Sequence, residues 1–218
     1  MVSSISLQPC ALGQQLKTAT AAVHRRVERT AFMASLLRGQ VDRACYVGLL
    51  RNLQALYAAL EEALARHATT PGVAPVVMPE LFRSHAIAAD LQVLAGSGPS
   101  AAAPLARATQ QYVERLRELS ATQPELLIAH AYVRYLGDLN GGQALRRVVA
   151  RSLGLAGSAG TMFYDFGDSA DRQHLVQRFR TALKAVDAQA QPAEAIVAEA
   201  IDAFERHEQL FEQLALTA

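Results

Sequence analysis

The chain has little cysteine, no excess of charge and no long apolar run. Cysteine occurs only at Cys10 and Cys45 in 218 residues. That is too few for a disulfide framework or a cysteine-built zinc cage, and the expected setting is reducing and cytoplasmic. Lys and Arg number 21 against 20 Asp and Glu, a formal net charge of +1; this disfavours a globally basic nucleic-acid binder, though not a local basic patch. No stretch approaches the roughly 18 consecutive apolar residues that a membrane span takes. The opening MVSSISLQPCALGQQLK has no basic residue before Lys17 and no sustained apolar core, so it does not read as a secretory signal. With 13 glycines, 8 prolines and 19% charged residues, the composition is not that of a disordered chain. The 51% hydrophobic content over this length is enough to bury one core.

What is present is helical period. Leu12, Leu16, Ala19, Val23 and Val27 form one stripe, and Leu49, Leu53, Leu56, Leu60 and Leu64 another. Leu175, Phe179, Leu183 and Val186 mark a helix near 171–187, and Ile196, Ala200, Ala203, Leu210, Phe211 and Leu214 mark a last one from about Ala193. No alternating strand-like run appears. Thr69–Gly72 closes the second long helix, Gly96–Pro99 opens a loop, and Pro124 suits the first turn of a helix. The longest irregular stretch is Gly154–Asp168. Residues 1–11 read as a tail and 12–216 as one all-α domain.

One segment breaks these rules. Ala129–Leu145, AHAYVRYLGDLNGGQAL, asks for a helix yet holds Gly137, Gly141 and Gly142. Each glycine inside a helix costs about 1 kcal/mol relative to alanine, roughly 3 kcal/mol here. Two readings fit. The glycines serve close helix packing, or a helix that ends at Gly137 and restarts after Gly142. Alternatively, Gly137 and Gly141, four apart on one face, bare a kinked backbone for a flat ligand, with Asp138 a half-buried carboxylate beside it. On the first helix, His24 shares a side with Lys17 and Glu28. Lys17 lies about 10.5 Å away along the axis. A lone histidine is commonly a surface or core residue, but neutral imidazole is also an axial ligand for iron.

The residues resemble those of haem oxygenases. LKTATAAVHRRVE (Leu16–Glu28), GQV (Gly39–Val41) and ALYAALEEAL (Ala55–Leu64) look like the proximal half of that family. HAYVRYLGDLNGGQAL (His130–Leu145) looks like its distal-helix signature, and TQPELLIAHAY and EQLFEQL extend the likeness from about residue 12 to 216. The YLGDLxGGQ core is highly specific. The resemblance implies an all-α bundle with haem between a proximal and a kinked distal helix. His24 would be the proximal iron ligand, steadied by Glu28. Gly137, Gly141 and Gly142 would bring the distal helix close to the haem and leave room for dioxygen. Asp138 would hold a distal water in a network with Tyr57, Tyr112 and Arg134, and that water would deliver protons. Lys17, Tyr132 and Arg180 match positions that bind the haem propionates in relatives.

Two departures stand out. Val176 occupies the place of another basic propionate partner one turn before Arg180, and His207 stands where relatives often have asparagine. His207 sits in the centre of its helix's apolar stripe and reads equally as a satisfied core residue or as a functional one that, unlike an amide, can titrate near neutral pH. Cys10 and Cys45 read as plain residues: Cys45 lies at the start of a helix, which can lower a thiol pKa, but no partner is apparent. The implied activity is cleavage of haem to biliverdin, expected as the α isomer, with carbon monoxide and ferrous iron. Dioxygen and external electrons would be consumed. No Gly-rich dinucleotide fingerprint follows a strand, so the electrons would come from a ferredoxin, flavodoxin or flavoprotein reductase docking near Lys17, Arg25, Arg26 or Arg180. A monomer is expected. The rival readings are a non-catalytic haem carrier or sensor, and a ligand-free helical interaction protein.

Overall fold

The structure, a computed structural model, describes residues 11–94, 104–187 and 192–216. Among these every regular element is helical, in the order α1 (Leu12–Glu28), α2 (Ala31–Leu37), α3 (Arg43–Arg66), α4 (Ser84–Leu94), α5 (Arg107–Thr122), α6 (Leu127–Ala131), α7 (Gly137–Ser152), α8 (Ser169–Asp187) and α9 (Ala193–Ala215). Short 3-10 turns lie at Ala74–Val76, Pro79–Leu81, Pro124–Leu126 and Met162–Tyr164. No helix among the described residues is long and apolar enough to cross a membrane. The tail at 1–10, Cys10 with it, and the expected turn at Gly96–Pro99 fall outside the described residues.

The stripes read from the sequence are the buried faces. Leu12, Leu16, Val23 and Val27 of α1 pack on α9, where Ala200 and Ala203 are wholly buried; small side chains there let the two backbones approach. His24 of α1 meets Phe204 of α9, and Phe32 of α2 stacks on Phe211 further along it. α3 is the central helix, with Leu50, Leu56, Tyr57, Leu60 and Leu64 inaccessible to solvent between α4 and α5. Its start is set by Asp42, whose side chain accepts the Cys45 N–H at 2.8 Å, a capping interaction of about 1 kcal/mol. Burial first, and the neighbouring Asp42 second, push the Cys45 thiol pKa up, as suits a plain residue.

The distal helix is continuous but irregular. α6 runs into a π-helical turn at Tyr132–Leu136, which runs directly into α7. The backbone goes on through all three glycines as ordinary α-helix. Gly137 has φ −60° and ψ −49°, and none of the three appears among the positive-φ glycines. The reading of a helix broken between Gly137 and Gly142 is thereby corrected. The distortion lies one turn earlier, where a π turn fits an extra residue into the helix and bends it. Left-handed glycines are instead found in the connection after α7, at Gly154, Gly157, Gly160 and Gly167. Buried Asp90 of α4 pins that connection by accepting the Met162 and Phe163 N–H groups at 2.7 and 2.8 Å.

Candidate active site

α1, the distal helix and α8 enclose a cleft of about 930 Å³, at the upper end for small-molecule sites. His24 stands on the α1 wall with its side chain half-exposed and its ring edge-on to Phe204, 5.5 Å between centroids. Its Nδ1 is 3.6 Å from Glu28 Oε2, within ion-pair range but too long for a hydrogen bond. Among the described residues nothing takes Nε2. The opposite wall is the distal helix, with Val133, Leu136 and Asn140 around a bare stretch of backbone. Gly137 and Gly141 line the cleft, and a Cβ built on either would have no atom within 4 Å. Their missing side chains are what open the space.

Gly142 is different. It is buried, and a Cβ there would come 3.3 Å from Tyr164 Cδ1, so it serves packing against the α7–α8 connection and does not line the cleft. The glycine triplet therefore divides into a pair that bares the wall and a third that fits a helix against a ring. Glycine is the same letter in both roles, and only the tertiary neighbours tell them apart.

Lys17, Tyr132 and Arg180 line the same cleft, as the sequence placed them. Lys184, one turn beyond Arg180, joins them and was not foreseen. Val176 lies instead in a neighbouring depression between α7 and α8, which Arg180 also lines. The extra cation on α8 is thus found one turn after the arginine. Only α-helical spacing from Arg180 could have signalled it. Among the described residues no ion pair engages Lys17, Arg25, Arg180 or Lys184. Arg26 is engaged, at 2.8 Å to Glu208 and 3.4 Å to Glu205, so it is not the open basic group expected of it.

Behind the glycine wall lies a polar cluster that does not line the cleft. Asp138 of α7 accepts the Tyr57 hydroxyl of α3 and, at 3.0 Å, Arg134 Nη2. Arg134 Nε donates to the Tyr57 oxygen at 2.8 Å, and Nη1 donates to His207 Nε2 at 3.1 Å. Tyr57, Arg134 and Asp138 are thus brought together as expected. Burial raises the Asp138 pKa, against the pull of Arg134 and Tyr57. Burial also works against the Arg134 charge, but Asp138 and Tyr57 outweigh it and keep the guanidinium firmly protonated.

One expectation changes here, and one open reading narrows. Tyr112 gives its hydroxyl to a different chain. It lies 2.9 Å from His130 Nδ1, whose Nε2 is 3.0 Å from Glu199, which Arg115 holds in turn. With both nitrogens satisfied, His130 is a core residue, and Glu199 is held down to about 2 by those partners although burial opposes it. His207 is not poised to titrate near neutrality. Burial first, and Arg134 second, push its pKa well down, so the imidazole stays neutral.

The profile of the Heme oxygenase family matches residues 10–213. The chain belongs to the haem oxygenase family. A haem oxygenase of Rhodella violacea is 36% identical over 203 residues, covering 93% of this chain and 86% of that one. The solved haem oxygenase of Leptospira interrogans superposes with a TM-score of 0.87 at 36% identity, over 93% of this chain and 99% of that one. Haem oxygenase-1 of Synechocystis, solved in complex with haem, gives 0.85 at 35% identity over 95% and 94%. As a member of this family the chain is an oxidoreductase that degrades haem to biliverdin, with haem both substrate and prosthetic group.

Proposed function

We propose that haem lies flat in the cleft with its iron on His24 Nε2 and its carboxylates toward Lys17, Tyr132, Arg180 and Lys184. Its ring is opened to the α isomer of biliverdin. The observation that carries this is the facing of two unlike walls: an imidazole with a free nitrogen on α1, and a strip without side chains on α7. Bound haem supplies the iron that activates dioxygen and is itself the molecule oxidised.

The protein's own groups do the rest. Glu28 attracts the Nδ1 side of the imidazole and favours the tautomer that leaves Nε2 open. Gly137 and Gly141 let the backbone close over one face of the ring, and Leu136 and Val133 beside them keep that face dry. Cations across the rim bind the carboxylates with charge-assisted hydrogen bonds and so choose the rotation of the ring. Asp138 stands one layer behind the wall, so it acts through a water. With its affinity for a proton raised by burial and its geometry held by Tyr57 and Arg134, it takes a proton from that water and returns it.

In this reading the chain works as a monomer in the cytoplasm. A ferredoxin, flavodoxin or flavoprotein reductase docks over the open cations Lys17, Arg25, Arg180 and Lys184, with Arg26 contributing little because Glu205 and Glu208 already neutralise it. One cuvette tests the whole. Hemin added to the protein is expected to give a sharp Soret band. Reductant under air is expected to convert that band to the broad red absorption of a bilin. A Soret band that survives reduction in air would make the chain a carrier or sensor. No spectral change with hemin would leave a helical protein without a ligand.

A further inference from the structure

His207 is almost wholly buried in the middle of α9 and does not line the cleft. Both of its ring nitrogens are committed to partners of fixed polarity. Nδ1 lies 2.7 Å from the Ala203 carbonyl oxygen, which can only accept. Nε2 lies 3.1 Å from Arg134 Nη1, which can only donate. One arrangement satisfies both: Nδ1 carries the proton and Nε2 the lone pair. The elements packed around it press the same way. Tyr112 of α5 meets the ring edge-on at 5.1 Å, Phe211 lies at 6.1 Å, and the charged or titratable groups that face it are Arg134 and His130. A second positive charge has no place beside Arg134.

The guanidinium it touches is the centre of the distal cluster. Arg134 is held by Tyr57 from α3, by Asp138 one turn on along its own helix, and by His207 from α9. A planar fork with three anchors on three helices has one orientation. Without the third, Nη1 is a buried donor with no acceptor, and the plane can turn about Nε until it finds one.

The geometry points to His207 as a positioning residue: its Nε2 lone pair fixes the plane of Arg134, and through it the directions in which Tyr57 and Asp138 present their oxygens behind the Gly137–Gly141 wall. The inference rests on the distal role proposed for Asp138, and its consequence is specific. What is needed at 207 is an acceptor at the reach of Nε2, not a base and not an apolar filler. Glutamine places an amide oxygen at that reach. Asparagine places its amide at the reach of Nδ1 and stops short of Arg134. Phenylalanine keeps the bulk and offers neither.

The test compares His207→Gln, His207→Asn and His207→Phe with the native chain by two readouts. In the ligand-free protein, NMR follows solvent exchange of the Arg134 Nε–H. Protection is expected in the native chain and in His207→Gln, and its loss by about tenfold in His207→Asn and His207→Phe, the scale of one lost hydrogen bond to a charged group. In the hemin complex, equal hemin affinity is expected throughout. Turnover is expected to fall about tenfold in the Asn and Phe variants and to be largely recovered in the Gln variant. Equal Arg134 protection in all four proteins would overturn the inference, as would a Gln variant as impaired as the Phe one. Should His207→Phe fail to fold, the contrast between Gln and Asn decides. If the native chain takes up no hemin, the distal reading fails, while the exchange data still judge the grip on Arg134.

Discussion

The two faces of the cleft are built on opposite principles. On the α1 side, His24 and Glu28 are half-exposed and four residues apart on one helix, held by little beyond an edge contact with Phe204. On the distal side, Asp138 is buried between Tyr57, 81 residues away in the chain, and Arg134 one turn back, which Tyr57 and His207 of α9 hold in turn. A ligand that forms its own strong bond needs only an available nitrogen at the right place. A carboxylate that must hold a proton and a direction needs a rigid, desolvated surround. The difference predicts that proximal changes act on haem and leave the fold alone, whereas distal changes touch both.

His24→Ala gives the sharpest break. Turnover is expected to fall by at least about 100-fold through loss of the proposed iron ligand. The melting temperature should stay put, because a half-exposed side chain contributes little to the core. Calorimetry beside the hemin assay checks both halves, and a lowered melting temperature would refute the contrast. Asp138→Asn comes next. The shape is kept and Arg134 retains an acceptor, so hemin affinity is expected to hold while turnover drops by about 100-fold, the lower range for a proton-transfer group. Replacement by alanine leaves the Arg134 charge buried and underpaired, and a stability loss of about 3 kcal/mol should show in urea titrations.

The third prediction separates identical residues. Gly141→Ala is expected to stabilise the free protein by up to about 1 kcal/mol, since α7 is helical there and nothing lies where the methyl goes. The same methyl intrudes on the cleft and should weaken hemin binding several-fold. Gly142→Ala meets Tyr164, so it should bring no such gain and leave hemin affinity nearly untouched. A shared response would erase the division of the glycines. The smallest effect is at the rim. Lys184→Ala is expected to lower hemin affinity about two- to threefold, as an exposed pair does. It should also redistribute the biliverdin isomers, which chromatography reads.

The faces also differed in how far the residues announced them. α1, α3 and α9 were legible because a buried stripe repeats every turn, and His24 with Lys17 and Glu28 falls on one side of α1 by the same arithmetic. That Gly137 and Gly141 bare a wall was legible because an unpaid helix penalty at two residues of one face asks for a reason. The rest required neighbours from elsewhere in the chain. Nothing near Tyr112 says that its hydroxyl goes to His130, and nothing near His207 says that Arg134 and Ala203 fix its proton. Gly142 reads like Gly141 until Tyr164 is in place.

The π turn at Tyr132–Leu136 has a consequence for how this chain tolerates length changes. An α-helix advances about 100° per residue, so one residue more or fewer swings everything downstream by that angle. Deleting a single residue within 132–136 would let the helix heal into regular α form, with better hydrogen bonding locally. The π turn takes up its extra residue within one widened turn, so Gly137, Gly141 and Asp138 would keep their facing. A one-residue deletion inside 132–136 is therefore expected to be the best tolerated in the distal helix, whereas one inside α7 before Gly141 should abolish haem degradation.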